Sequence, residues 1–176
     1  MNLSKSLYTR GLQCAKSLWL KKYKKEVLSL PDSSSEAIFA TGNEVGELAC
    51  QLFPNTQKLI DENVSDIYEA SFNFDNIFVA VDILHINENK EVEIYEVKSS
   101  TDVKDVYLHD ASIQYFVLNG LGYTVKKVSI VHINNKYVRK DELEIEKLFT
   151  VADVTSSVLE LQNDIPTYLK TFKKFL

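Results

Sequence analysis

One segment, residues 71–98, constrains the fold more than any other. It is rich in β-branched and aromatic residues, first Phe78, Val79, Val81 and Ile83, then Val92, Ile94, Tyr95 and Val97. Such side chains suit a half-buried pleated surface. Two groups of turn-forming residues, Asp75-Asn76 and Asn87-Glu88-Asn89-Lys90, divide the segment. The pattern predicts three strands in a meander: Ser71 to Phe74, Ile77 to Ile86 and Glu91 to Lys98.

Helical spacing flanks this meander. Leu7, Leu12, Leu18, Trp19 and Tyr23 predict a helix over Ser4 to Tyr23, with Ser4 or Ser6 as its N-cap. The serines after Pro31-Asp32 cap a second helix, Ser35 to Leu52, which Phe53-Pro54-Asn55 ends because proline cannot continue it. Gln57 to Ile60 is a short strand candidate. Leu108 to Leu121 is a helix closed by Gly120 and Gly122. Val125 to Ile133 is a strand before a turn at Asn134-Asn135, and Ser156 to Leu176 is a final helix interrupted near Pro166. The order is helix, helix, meander, helix, strand, helix, an α/β or α+β sheet with helices packed on it.

With 176 residues and 45% apolar content, the chain can bury a core as a single domain spanning 1–176, and a disordered chain is excluded. Cys14 and Cys50 form no CxxC pair; Cys50, among Leu48, Ala49 and Leu52, reads as a buried free thiol. The first residues lack the apolar stretch of a signal peptide, and the run Ile77 to Ile86 is too short for a membrane span, so a cytoplasmic protein is expected. The net charge of −5 does not favour nucleic acid, yet lysines bunch at 16, 21, 22, 24 and 25 and again at 170, 173 and 174. A phosphate backbone responds to local rather than total charge, so charge leaves the partner open.

Chemistry is concentrated in Asp82 and in Glu96-Val97-Lys98. Side chains alternate along a strand, so Glu96 and Lys98 share a face and Val97 takes the other. Asp82 lies fourteen positions before Glu96, which suits neighbouring antiparallel strands joined by the turn near Asn89. Two carboxylates about 4 Å apart repel by roughly 4 kcal/mol at an effective dielectric of about 20. A divalent cation removes that cost, and hard oxygen ligands suit Mg²⁺ or Mn²⁺. The bland alternative is a same-face Glu-Lys surface pair worth about 0.2–1 kcal/mol.

An aspartate in an apolar strand, a turn, an apolar strand ending in Glu-x-Lys, and then a helix resembles the PD-(D/E)XK nuclease superfamily. The likeness is closest to the RecB-type branch that includes the CRISPR-associated adaptation nucleases. Val79-Ala80-Val81-Asp82 is similar to that family's metal-binding strand, and Tyr95-Glu96-Val97-Lys98-Ser99-Ser100 to its (D/E)-x-K strand. Asp110-Ala111-Ser112-Ile113-Gln114 resembles its glutamine-bearing helix, although Leu118 stands where the family has tyrosine. Gly42-Asn43-Glu44-Val45-Gly46-Glu47-Leu48-Ala49 resembles its first helix, with Gly46 where a histidine ligand is usual. The resemblance implies a restriction-endonuclease-like α/β core, a central mixed sheet flanked by helices.

It further implies a Mg²⁺- or Mn²⁺-dependent deoxyribonuclease acting on DNA. Asp82, Glu96, the Val97 carbonyl and Glu47 (or Glu44) would be metal ligands, Lys98 would orient water or phosphate, and Gln114 would contact DNA or position the catalytic residues. The opening stretch Arg10-Gly11-Leu12-Gln13-Cys14-Ala15-Lys16 also resembles the RecB-type start, where the cysteine ligates an iron–sulfur cluster with three later cysteines. None follows Cys50, so no cluster is expected here, and Cys14 reads as a remnant ligand or as one member of a set completed in a longer protein. His85 and His132 fall in strand patterns and read as structural, while His109 opens a helix from which it could approach a phosphate. Two rival readings keep less: a nuclease fold serving as a DNA-binding or assembly module beside a further domain or protein partner, or an α/β interaction domain whose Glu96 and Lys98 are a surface pair.

Overall fold

Asp75 and Asn76 both adopt left-handed backbone angles, φ 48° and 61°. Both central residues of a type I′ hairpin turn require this, and aspartate and asparagine tolerate it. The turn sets the register of the computed structural model's longest pair, β2 (Val64–Phe74) and β3 (Ile77–Asn87), antiparallel from Val64↔Asn87 to Phe74↔Ile77. The structure describes residues 3–28, 33–53, 64–87, 89 and 91–176; the strand expected at Gln57 to Ile60 lies outside them.

β2 takes one edge of β3 along its whole length, so the other edge is shared. A two-residue strand that the periodicity did not reveal, β1 (Leu3–Ser4), runs parallel to it at Ile77 and Phe78. β4 (Glu91–Lys98), with the bounds the sequence predicts, pairs antiparallel with β3 only along Ile83 to Ile86. From Val79 to Asp82 this edge of β3 has no ladder partner among the described residues. The two strands that carry the acidic residues thus part where those residues stand.

Beyond β4 the chain crosses over through α4 (Asp105–Gly120), which makes β5 (Thr124–Ile133) parallel to β4. The antiparallel strand β6 (Phe149–Asp153) and the single turn of α5 (Ile145–Leu148) occupy a stretch where the sequence suggested neither. The result is a mixed α/β fold: a six-stranded sheet in the order β1-β3-β4-β5-β6, with β2 also on β3, flanked by helices.

The predicted opening helix is two. α1 (Lys5–Gln13) and α2 (Ala15–Tyr23) meet at Cys14, whose extended backbone breaks the ladder. Ser4 caps α1 by accepting the Leu7 N–H at 3.3 Å, and the Cys14 sulfur caps α2 by accepting the Ser17 N–H at 3.4 Å. The second long helix, α3, spans Ser33–Cys50. The final pair, α6 (Thr155–Leu161) and α7 (Ile165–Phe175), breaks just before Pro166, as the sequence indicated. No helix among the described residues is long and apolar enough to cross a membrane.

The sheet has a core on each face. On one, Val79, Val81, Leu84, Val92, Ile94 and Ile130 pack with Tyr8 of α1, Ile113 and Leu118 of α4, Val158 of α6 and Phe172 of α7. On the other, Ile83, Tyr95, Val131 and Phe149 pack with Val45 and Ala49 of α3. Gly11 lets α1 approach α7: a Cβ there would lie 2.9 Å from the Phe172 ring.

Strict alternation fails in β3. Val79, Val81 and Leu84 share a core, whereas Ile83 enters the other, so β3 slips by one residue at Asp82. Its partner slips opposite, with Ala70 and Ile67 in the first core, Tyr68 packed on the second, and Glu69 at φ 50° between them. A left-handed residue inside a strand reverses the pleat, and both strands reverse together. Asp82 is thereby released from the inward-outward rule of its neighbours.

Candidate active site

Glu96 is the centre of the site and is 1% exposed. It projects from β4 onto the face covered by α1 and α4, out of reach of bulk water. Four hydrogen bonds replace water. Lys5 at the start of α1 donates to both carboxylate oxygens at 3.0 Å, and Lys98 donates to Oε1 at 2.6 Å. Gln114 from α4 donates its Nε2 to Oε2 at 2.7 Å and to the Asp110 carbonyl at 3.1 Å.

Lys98 also donates to Asp110 Oδ2 at 2.6 Å, with the Tyr107 ring centroid 5.3 Å from its ammonium. Lys5 lies 3.8 Å from Asp82 Oδ1 and 4.0 Å from Asp110 Oδ1. Asp82 Oδ2 accepts the Val97 N–H at 2.8 Å, in place of the ladder bond that β3 and β4 no longer make there. Three carboxylates and two ammonium groups therefore meet where the strands part.

Their charges are unequally satisfied. Burial opposes the ionised form of Glu96, but Lys5 and Lys98 outweigh it and hold its carboxyl down to about 2. Burial and then the Glu96 charge push Asp82 up to about 7, against the pull of Lys5 and the Val97 N–H. The same two causes push Asp110 up to about 6. Both lysines are desolvated, which disfavours their charge, yet Glu96 and Asp110 raise them above the ordinary lysine value. The cluster holds Glu96 firmly ionised and leaves Asp82 and Asp110 short of positive charge.

Asp82, Glu96 and Lys98 come together as the sequence indicated, and a surface Glu96–Lys98 pair is excluded by the burial of Glu96. Gln114 is fully buried and does not line the cleft; it holds Glu96 in place. Leu118 is a core residue. Val97 and Glu47 line the same cleft as the cluster, and exposed Glu44 is not part of its wall. Cys50, read from the sequence as buried, is half-exposed on that wall. His109 packs edge-on against Tyr168, 6.2 Å between centroids, and is not part of the cleft wall, while His85 pairs with Asp66 at 2.6 Å.

Lys5 and Asp110 are the residues that sequence reasoning missed. Asp110 left a signal, since it precedes Gln114 by one helical turn and so shares its face.

The cleft holds about 640 Å³ between the cluster, α1 and α3. Gly42 and Gly46 line it, and a Cβ at either would meet no atom of the described residues within 4 Å. Mid-helix glycine costs about 1 kcal/mol relative to alanine. Packing does not demand these glycines; they keep the α3 wall low and leave its backbone accessible.

No family model and no curated protein matches the chain. Among solved structures, that of SSO0001 is similar over 93% of this chain and 74% of its own, at 13% identity and a TM-score of 0.43.

The oxygen donors at the cleft suit a hard divalent cation. Mg²⁺ is commonly held by only one or two carboxylates, with water and substrate oxygens completing its shell. Asp82, short of positive charge and facing the cleft beside Glu96, meets that requirement. Among the described residues no three His, Cys, Asp or Glu side chains form a metal-binding group.

Proposed function

We propose that this chain is a Mg²⁺- or Mn²⁺-dependent deoxyribonuclease that hydrolyses phosphodiester bonds, with a restriction-endonuclease-like core of the RecB type. One observation carries the reading: Asp82, Glu96 and Lys98 converge at the mouth of a cleft where β3 and β4 part. The buried glutamate shared by two ammonium groups supports the reading over a surface ion pair.

Asp82 and Glu96 would hold the cation, with the Val97 carbonyl and Glu47 available to it. A bound divalent ion lowers the pKa of water and stabilises the charge that develops on a phosphate under attack. Lys98, held by Glu96 and Asp110, would supply the positive charge that orients the attacking water or the phosphate. Gln114 fixes the Glu96 carboxylate, so little reorganisation is needed when the reaction begins. The two glycines on α3 leave room for a sugar–phosphate backbone to approach.

The test is incubation of the purified protein with end-labelled single- and double-stranded DNA, in Mg²⁺, in Mn²⁺ and with chelator. Cleavage only in the presence of metal supports the proposal. A second reading, a DNA-binding or assembly module without catalysis, is favoured by the closed ion pairing of Lys98 with Glu96 and Asp110. DNA binding without cleavage in either metal selects it.

A further inference from the structure

Lys5 has no place in the proposed chemistry, yet it occupies the centre of the cluster. Its ammonium is bound by both oxygens of Glu96 at 3.0 Å, and Asp82 and Asp110 stand 3.8 and 4.0 Å away. No other cation in the site touches both Glu96 oxygens. Helix α1 does not call for a cation here: Lys5 is its first residue, where the helix dipole disfavours positive charge, and its first turn has no acidic residue. The carboxylates hold Lys5, and it lines the open cleft rather than the core.

We propose that Lys5 is a built-in counter-cation that competes with the divalent ion for Glu96 and Asp82, and that it withdraws from them when the ion binds. The inference rests on the nuclease reading of the site. Lys5 spans both Glu96 oxygens, where a dication held by them would lie, and two cations that close repel strongly; Lys98 touches Oε1 alone. Lysine suits such a role. Its four-carbon stem is flexible and its charge is a point rather than a rigid fork, so it can leave without unfolding α1. Lys98, fixed between Glu96 and Asp110, stays. The competition keeps Glu96 neutralised before metal arrives and sets the metal concentration at which the site fills.

The test measures Mn²⁺ binding by calorimetry for the wild type, Lys5→Gln, Lys5→Arg and Asp82→Asn, with thermal unfolding of each in Mn²⁺ and in chelator. Lys5→Gln is expected to bind Mn²⁺ at least ten-fold more tightly than the wild type. It should also unfold at a lower temperature in chelator and at nearly the wild-type temperature in saturating Mn²⁺. Lys5→Arg, whose guanidinium grips a carboxylate bidentately, is expected to bind Mn²⁺ more weakly than the wild type; this arm stands if Lys5→Gln fails to fold. Equal or weaker Mn²⁺ binding by Lys5→Gln, with binding still lost in Asp82→Asn, overturns the competition and leaves the metal site standing. Absence of binding in every protein, or binding unaffected by Asp82→Asn, overturns both.

Discussion

The main-chain N–H of Val97 donates to the Asp82 carboxylate at 2.8 Å, across a point where β3 and β4 have stopped pairing. One bond thus joins the first acidic strand to the centre of the Glu-x-Lys strand and occupies one Asp82 oxygen. The other oxygen faces Lys5. The local geometry behind this bond is the double slip of the pleat at Asp82 and Glu69.

That slip has a cost at Glu69, which sits at φ 50°. A left-handed residue with a side chain costs about 1–2 kcal/mol relative to glycine, and more for a β-branched one. Glu69→Val is expected to be less stable than Glu69→Gly by more than about 1–2 kcal/mol in urea unfolding. Equal stabilities would mean that the strand does not reverse there.

Gln114 holds Glu96 without lining the cleft. Gln114→Leu removes a hydrogen bond to a charged group, for an expected loss of about 1.5–3 kcal/mol. Gln114→Glu sets a second carboxylate against Glu96 and should cost more. If the chain cleaves DNA, kcat should fall in Gln114→Leu with KM nearly constant; a change confined to KM would place Gln114 on the substrate instead.

The same substitution should have opposite signs on two helices. Gly46→Ala, where a Cβ meets nothing among the described residues, should stabilise α3 by about 1 kcal/mol. Gly11→Ala drives a methyl into the Phe172 ring and should destabilise by about 1–3 kcal/mol. Thermal or urea unfolding of the two variants checks both.

Proton linkage gives a further expectation for the metal-free protein. Asp82 is pushed up to about 7 and Asp110 up to about 6, so the folded chain holds protons that the unfolded chain has released. Their contribution therefore falls as pH rises through that window. Glu96 acts oppositely: held down to about 2, it stabilises above its ordinary value and loses this as pH falls through the acid range. Between about pH 4 and 7 for Asp82→Asn, and between about pH 4 and 6 for Asp110→Asn, each should flatten the decline in Tm expected of the wild type. Unchanged slopes in both would show that these carboxyls are not raised.

Much of the sheet was legible because its signals are local. Alternation and bracketing turn residues placed β4 at its observed bounds and the hairpin turn at Asp75-Asn76. β1 and β6, of two and five residues, owe their existence to partners far along the chain, and no periodicity develops over so few positions. The break at Cys14 escaped because helical spacing continues across it with no glycine or proline at the joint. In the site, Glu96 and Lys98 share a face by arithmetic alone. Lys5 is ninety-one positions from Glu96 and resembles any surface lysine until the fold places α1 beside β4.

The central claim concerns chemistry at Asp82, Glu96 and Lys98, and its most direct measurement is cleavage of end-labelled DNA in Mn²⁺ by the wild type, Asp82→Asn and Lys98→Ala, each shown to be folded by circular dichroism. Metal-dependent cleavage by the wild type, reduced at least a hundred-fold in both variants, is the predicted result, on the order of the 10²–10³ loss when one group stabilising transition-state charge is removed. Undiminished cleavage by either folded variant, or no cleavage by the wild type on either single- or double-stranded DNA, would contradict it.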